Sequence, residues 1–320
     1  MRKAICILAV LICISFLMIS CSGDNALKSP TEPPPTPIEY FTFEEINGSI
    51  TITKYIGLDK NVVIPKTVNN LPVTHIGANA FHMNRDIMSV FLPDTVTGIG
   101  ISAFGNCESL TSVVLPGSLE EIGGCAFENC QKLSDITLPE NLKKIGGQAF
   151  LNCKALKQVI ISKDCVIGME AFRDSGLENI TFETGVTHIP DTCFAGTNIQ
   201  TLILPETVQT IGWQAFADCK SLKNVSLNEG LITVGDLAFY STDLEEIIIP
   251  STVTEIKETT FGNCLALDKI KFEGNAPDNF LRILQGTHFG AENVHFTICY
   301  HSGASGFTSP EWNEYPTEIW

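Results

Sequence analysis

The chain has 320 residues, of which 44% are hydrophobic and 18% charged, so it carries too much apolar side chain to stay disordered and must bury it in an ordered fold. A formal charge of −16 disfavours nucleic acid, whose phosphates select basic surfaces. Length alone is compatible with one or two globular cores, so the arrangement of the apolar residues has to decide the architecture.

Residues 1–20 read as a secretory signal peptide: Arg2 and Lys3 open it, an apolar run from Ala4 to Phe16 follows, and Ser20 is the small residue before Cys21. The stretch Leu17-Met18-Ile19-Ser20-Cys21 resembles the lipobox of bacterial lipoproteins, although Met18 stands where that family prefers Leu. The resemblance implies cleavage before Cys21, lipid on its thiol and a membrane anchor. Loss of Arg2 and Lys3 would take the charge from −16 to −18. Residues 21–37 contain Pro30, Pro33, Pro34, Pro35 and Pro37 and almost nothing apolar. Such a segment favours polyproline II and is expected to act as a semi-rigid spacer, on the order of 50 Å at about 3.1 Å per residue. In residues 38–75 β-formers alternate with polar residues on both sides of Asn47-Gly48, which predicts a hairpin serving as an N-terminal cap and leading into a first partial repeat.

From residue 76 to 273 the chain repeats. Phe81, Phe104, Phe127, Phe150, Phe172, Phe194, Phe216, Phe239 and Phe261 follow one another at intervals of 22 or 23 residues. A period in the twenties signals a solenoid, in which each coil buries its apolar face against its neighbours. In one coil, Leu110, Val113 and Leu115 mark a short strand with one buried face, Pro116 ends it, and Leu119 and Ile122 form a second short extended piece. Gly123 then bends the chain into the turn that carries Ala126 and Phe127. The expectation is a strand, a turn, a second short strand and a tight or helical turn in every coil. Ser162, Glu183 and Asn228 replace the strand-ending Pro, and Pro190 and Lys257 replace the Gly.

Cysteines in an exported chain suggest disulfides at first. Three residues after successive Phe, however, stand Asn84, Cys107, Cys130, Cys153, Ser175, Thr197, Cys219, Thr242 and Cys264. What this column shares is a small side chain that can hydrogen-bond a neighbouring backbone group within a turn. Structural turn cysteines are the favoured reading, with disulfides or a metal site as the alternatives.

The pattern from Leu110 to Cys130, Leu-x-x-Val-x-Leu-Pro-x-x-Leu-x-x-Ile-Gly-x-x-Ala-Phe-x-x-Cys, resembles the bacterial leucine-rich repeats of the BspA type, found also in treponemal surface proteins. The resemblance runs over about residues 40–320 and makes 274–320 a C-terminal cap. It implies a curved leucine-rich-repeat solenoid, surface display, and adhesion to host matrix proteins or other cells. The partner implied is an extracellular protein.

On the expected concave sheet, the residue between the two inward apolar positions faces out. This stripe includes Phe91, Val114, Ile160, Ile203 and Ile248, and the neighbouring outward column includes Asp135, Gln158, Asn179, Asn224 and Glu246. Large apolar side chains facing solvent suit a protein-binding surface, although β-branched residues also favour strands for their own sake. No phosphate loop, His-Glu-x-x-His helix or Gly-x-Ser-x-Gly elbow occurs, and the histidines lack ligand spacing, so no catalytic, metal or cofactor residue is assigned. A carbohydrate-binding surface protein is the alternative, with Trp213, Trp312, Trp320 and Tyr240 as stacking candidates.

Overall fold

The computed structural model describes residues 33–257, 259–277, 296–312 and 315–320. The signal peptide, Cys21 and the spacer as far as residue 32 lie outside the described residues. Thr36, at the end of the proline-rich stretch, is already docked: its N–H bonds Val63 O at 2.9 Å and its hydroxyl accepts from Val63 N–H at 3.0 Å.

The hairpin forms as the sequence predicts. Phe41–Ile46 pairs antiparallel with Ser49–Tyr55, and Asn47 and Gly48 both have positive φ, as a two-residue primed turn requires. Phe41 and Tyr55 are buried, and their rings continue the Phe column beyond Phe81. The hairpin thereby closes the first core layer.

Each coil has three hydrogen-bonded sides. The main strands include Ser89–Phe91, Ser112–Val114, Gln158–Ile161, Asn179–Phe182, Thr201–Ile203, Asn224–Ser226, Glu246–Ile249 and Lys269–Phe272, paired in parallel. The second side stacks two-residue strands such as Gly98–Ile99, Glu121–Ile122 and Lys144–Ile145. The third side is the Phe turn, which is not helical: the one helix among the described residues is the 3-10 turn Ile38–Tyr40. Residues two before and two after each Phe adopt positive φ, for example Ser102 and Asn106, or Cys125 and Asn129, at 52–60°. This left-handed punctuation costs roughly 1–2 kcal/mol per residue, which explains the many Asn there. In return every second N–H points along the axis: Ser102, Phe104 and Asn106 donate to Gly124, Ala126 and Glu128 of the next coil at 2.9, 2.8 and 2.7 Å.

Inside lies one continuous core. From Phe81 to Phe261 the rings stack with centroids 4.8–5.9 Å apart and interplanar angles of 2–18°. The glycine between the second strand and the Phe turn is required for closeness rather than for a bend. A Cβ would lie 2.6 Å from Ala78 N at Gly100, 2.7 Å from Gly100 C at Gly123 and 2.4 Å from Gly124 N at Gly146. None of these three has a positive φ. Pro190 occupies the same place in its coil and has no N–H to give. The second-side ladder is interrupted there, between Val166–Ile167 and His188–Ile189. At Lys257 the bond survives, from its N–H to Val234 O at 2.9 Å.

The cysteine column is a hydrogen-bonding column whose composition follows coil length. Where six residues separate Phe from the next inward Leu, the thiols of Cys107, Cys130, Cys153, Cys219 and Cys264 reach back to the Phe carbonyl of the preceding coil at 3.0–3.2 Å. Where five separate them, Thr197 and Thr242 bond the carbonyl of their own Phe at 2.8 and 2.9 Å. Ser175 also sits in a short coil, and its buried hydroxyl finds no partner. All nine cysteines among the described residues are free thiols.

Candidate functional site

The main-strand ladder is not continuous. It divides between Asp135–Ile136 and Gln158–Ile161, between Asn179–Phe182 and Thr201–Ile203, and between Asn224–Ser226 and Glu246–Ile249. Side chains that alternate inward and outward along each strand still line up across these seams. In the inward set Val113, Ile136, Val159, Leu202 and Ile247 are buried, and Ile180 and Val225 are half-buried against the core.

Two outward rows run side by side. In the first, Val63, Phe91 and Val114 are in register, as are Ile160 with Thr181, Ile203 with Ser226, and Ile248 with Lys271. Ile203 is 66% exposed, Ile160 56%, Val114 49% and Ile248 39%, values far above those of a core residue. Phe91 faces outward but is only half-exposed, sandwiched between Val63 and Val114.

The second row is polar at every rung: Asn61, Ser89, Ser112 and Asp135 are in register, then Gln158 with Asn179, Thr201 with Asn224, and Glu246 with Lys269 and Thr297. The structure thus brings Asp135, Gln158, Asn179, Asn224 and Glu246 into one row and adds Asn61, Ser89, Ser112, Thr201, Lys269 and Thr297. Sequence reading missed these additions because short polar residues such as Ser89, Ser112 and Thr201 are ordinary in strands until register aligns them with the rest of the row. The Ser89 hydroxyl donates to Asn61 Oδ1 at 2.8 Å, and that of Ser112 to Asp135 Oδ2 at 3.0 Å.

Charge on this face is locally balanced. Lys157 pairs with Glu178 at 2.5 Å and Lys271 with Glu246 at 2.7 Å, while Lys223 lies 3.2 Å from Asp243 and 3.7 Å from Glu245. Asp243 and then Glu245 hold the Lys223 ammonium above the usual lysine range. Exposed pairs of this kind contribute little to stability and act mainly on what approaches.

Two depressions open on the face. One, of about 550 Å³, lies between Ile203 and Ile248 over Ser226. The other, of about 190 Å³, lies against Thr137, Ile160 and Thr181. A third depression of about 680 Å³ is on the second side, where Gly98 lacks a side chain beside His75 and the lysines Lys143 and Lys144 are already paired with Glu120 and Glu121.

The aromatic residues scatter. Trp312 is buried, Trp213 is exposed at the corner of a Phe turn, and Trp320 lies with its ring centroid 5.5 Å from Lys271 Nζ while stacking on His301. No group of three or more His, Cys, Asp or Glu able to hold a metal occurs among the described residues. Burial pushes the Cys153 thiol up to about 12 and Cys219 to about 11, so these thiols are poor nucleophiles.

Residues 74–197 and 187–287, more than half of the chain, match the BspA type leucine-rich repeat region in six copies. The chain belongs to this family. Among solved structures, this BspA-type repeat chain is similar to a leucine-rich repeat protein from Bacteroides ovatus, at 25% identity over 89% of this chain and 76% of the other, with a TM-score of 0.71. It is also similar to the leucine-rich repeat protein of T. pallidum, at 25% identity over 73% of this chain and 91% of the other, with a TM-score of 0.52. No curated protein sequence matches it.

Proposed function

We propose that this BspA-type repeat protein is displayed on a bacterial surface and binds an extracellular protein, a matrix component or a protein of another cell, through the outward face of its main strands. The observation that carries the reading is the pairing of the two rows. Exposed Val114, Ile160, Ile203 and Ile248 supply apolar contact area, and a row that is polar at every rung lies beside them to select what they touch. The family supports a binding role rather than catalysis. Export through the residue 1–20 segment and lipid on Cys21 belong to the same proposal, the anchor holding the solenoid to the membrane.

Binding of the purified protein to a panel of immobilised matrix proteins, alongside a glycan array, tests the reading. Capture of a matrix protein that Ile160→Asp and Ile203→Asp abolish while the melting curve stays unchanged is the expected outcome. Binding confined to glycans, or indifferent to both substitutions, would overturn it. Metabolic labelling with a radiolabelled fatty acid, lost in Cys21→Ala, tests the anchor.

A further inference from the structure

The apolar row has a period of two coils. From Ser112–Val114 onward it reads Val114, Thr137, Ile160, Thr181, Ile203, Ser226, Ile248: a β-branched aliphatic residue and a short hydroxyl residue alternate without exception over these seven rungs. The backbone carries the same period. Gln158–Ile161 pairs with Asn179–Phe182 and Thr201–Ile203 with Asn224–Ser226, so each seam falls just before a strand bearing an Ile. Both depressions span a seam: the larger has the Ser226 rung between Ile203 and Ile248 as its floor, and the smaller flanks the Ile160 ridge with Thr137 on one side and Thr181 on the other. The face therefore presents an apolar ridge, a polar-floored hollow, and a ridge again, at a step of about 9.6 Å for two strands about 4.8 Å apart.

That step discriminates among polypeptide ligands lying along the solenoid axis. A polyproline II helix repeats its face every three residues, at about 9.3 Å. A β-strand repeats its face every two residues at about 6.7 Å, and an α-helix every turn at about 5.4 Å. From Val114 to Ile248 the four ridges span three such steps, about 29 Å. Nine residues of polyproline II cover about 28 Å, a mismatch of about 1 Å over the whole run. The backbone carbonyls of polyproline II have no internal partners, and Gln158, Asn179 and Asn224, in the row beside the ridges, carry amide N–H groups that can donate to them.

We propose, building on the reading of this face as the binding surface, that its ligand is a proline-rich segment in the polyproline II conformation, running across the main strands with one residue triplet per two coils. The rings of the triplets rest against Val114, Ile160, Ile203 and Ile248, and the amide row holds the backbone. Asp135 on that row disfavours an acidic residue placed beside it.

Fluorescence anisotropy of the whole protein with labelled Pro-Pro-Gln repeat peptides of roughly six, nine, twelve and fifteen residues tests the proposal, with a Gly-Ser peptide of matched length as control. Affinity is expected to rise with each triplet and level off at about twelve residues, when all four ridges are occupied. Ile203→Asp is expected to weaken binding at least about tenfold, and Thr181→Ser, which keeps a short hydroxyl on that rung, to leave the triplet dependence intact. No binding, equal binding of the Gly-Ser peptide, or binding indifferent to Ile203→Asp would overturn the inference. A competition arm separates the two readings. If a captured matrix protein is lost in Ile203→Asp but no Pro-Pro-Gln peptide displaces it, the face remains the binding surface and the polyproline II ligand is refuted. If the captured protein is indifferent to Ile203→Asp, both fall.

Discussion

Truncating Phe150 to Ala tests the solenoid core most directly. Its ring is fully buried and stacks on Phe127 and on Phe172, with centroids 5.2 Å away on both sides. Removing a buried Phe side chain costs about 3–5 kcal/mol, and the well-packed neighbours leave little room for collapse. Loss of two ring contacts, each worth about 0.5–1.5 kcal/mol, places the effect toward the upper end. Because each coil contacts only its neighbours, the damage concentrates at one interface, and the two flanking blocks are expected to unfold separately. Urea denaturation followed by circular dichroism should show a lower, broader or biphasic transition. Hydrogen exchange should show protection lost first around residues 127–172. Ile160→Ala is the control: its side chain is 56% exposed, and a change within about 0.5 kcal/mol is expected. If Phe150→Ala costs less than about 1 kcal/mol, or no more than Ile160→Ala, the Phe column is not the element that holds the coils together.

Other substitutions probe separate features. Gly146→Ala should destabilise the protein by at least about 2 kcal/mol in the same assay, because its Cβ would meet Gly124 N at 2.4 Å. Gly117→Ala, with nothing within 4 Å, should be neutral or stabilising by up to about 1 kcal/mol. Ser175→Ala removes a buried hydroxyl without a partner and should raise stability by roughly 1 kcal/mol, and a loss would show that the hydroxyl is satisfied after all. The buried thiols set an alkaline limit. Burial raises Cys153 from 9.0 to about 12, and Cys165 and Cys219 to about 11. Between the unfolded and folded values the unfolded chain has lost protons that the folded chain keeps, so stability falls as pH rises. The contribution is complete below about pH 8.5–9 and is lost toward about 11–12, at about 1.4 kcal/mol per thiol per unit. Urea midpoints at pH 8 and pH 10 should therefore differ clearly, and equal midpoints would refute burial of these groups in the neutral form.

The hairpin at Asn47-Gly48, the coil period and the inward Phe column were legible in the sequence because each is a local pattern. A turn dipeptide, an apolar alternation and a repeated Phe carry their meaning within a few residues. The outward stripe was legible for the same reason, since inward and outward positions alternate along a strand. Its polar companion was read only in part, because Ser89, Ser112 and Thr201 look like ordinary strand residues until cross-strand register aligns them with Asp135 and Asn179. The Gly column was recognised but its cause was not. The glycines are needed because backbone from the adjacent coil passes within 2.4–2.7 Å of where a Cβ would stand, a distance that no single coil contains.

By itself, then, the sequence determined what one coil is: its length, its inward residues and the places where it turns. Only the stacked structure decided what happens between coils. It decided that the Phe turn uses left-handed residues to build a third ladder. It decided that a thiol reaches the preceding Phe carbonyl in long coils while a Thr caps its own in short ones. It also broke the main-strand ladder into a four-stranded block, two pairs and a C-terminal block. Apart from the Thr caps, which bond three residues back, these are contacts between groups 20 or more residues apart, and their geometry depends on how far one coil sits above the next. The alternation from Val114 to Ile248 was present in the sequence throughout, but it acquired a length of about 9.6 Å only once parallel strands fixed the rise per coil.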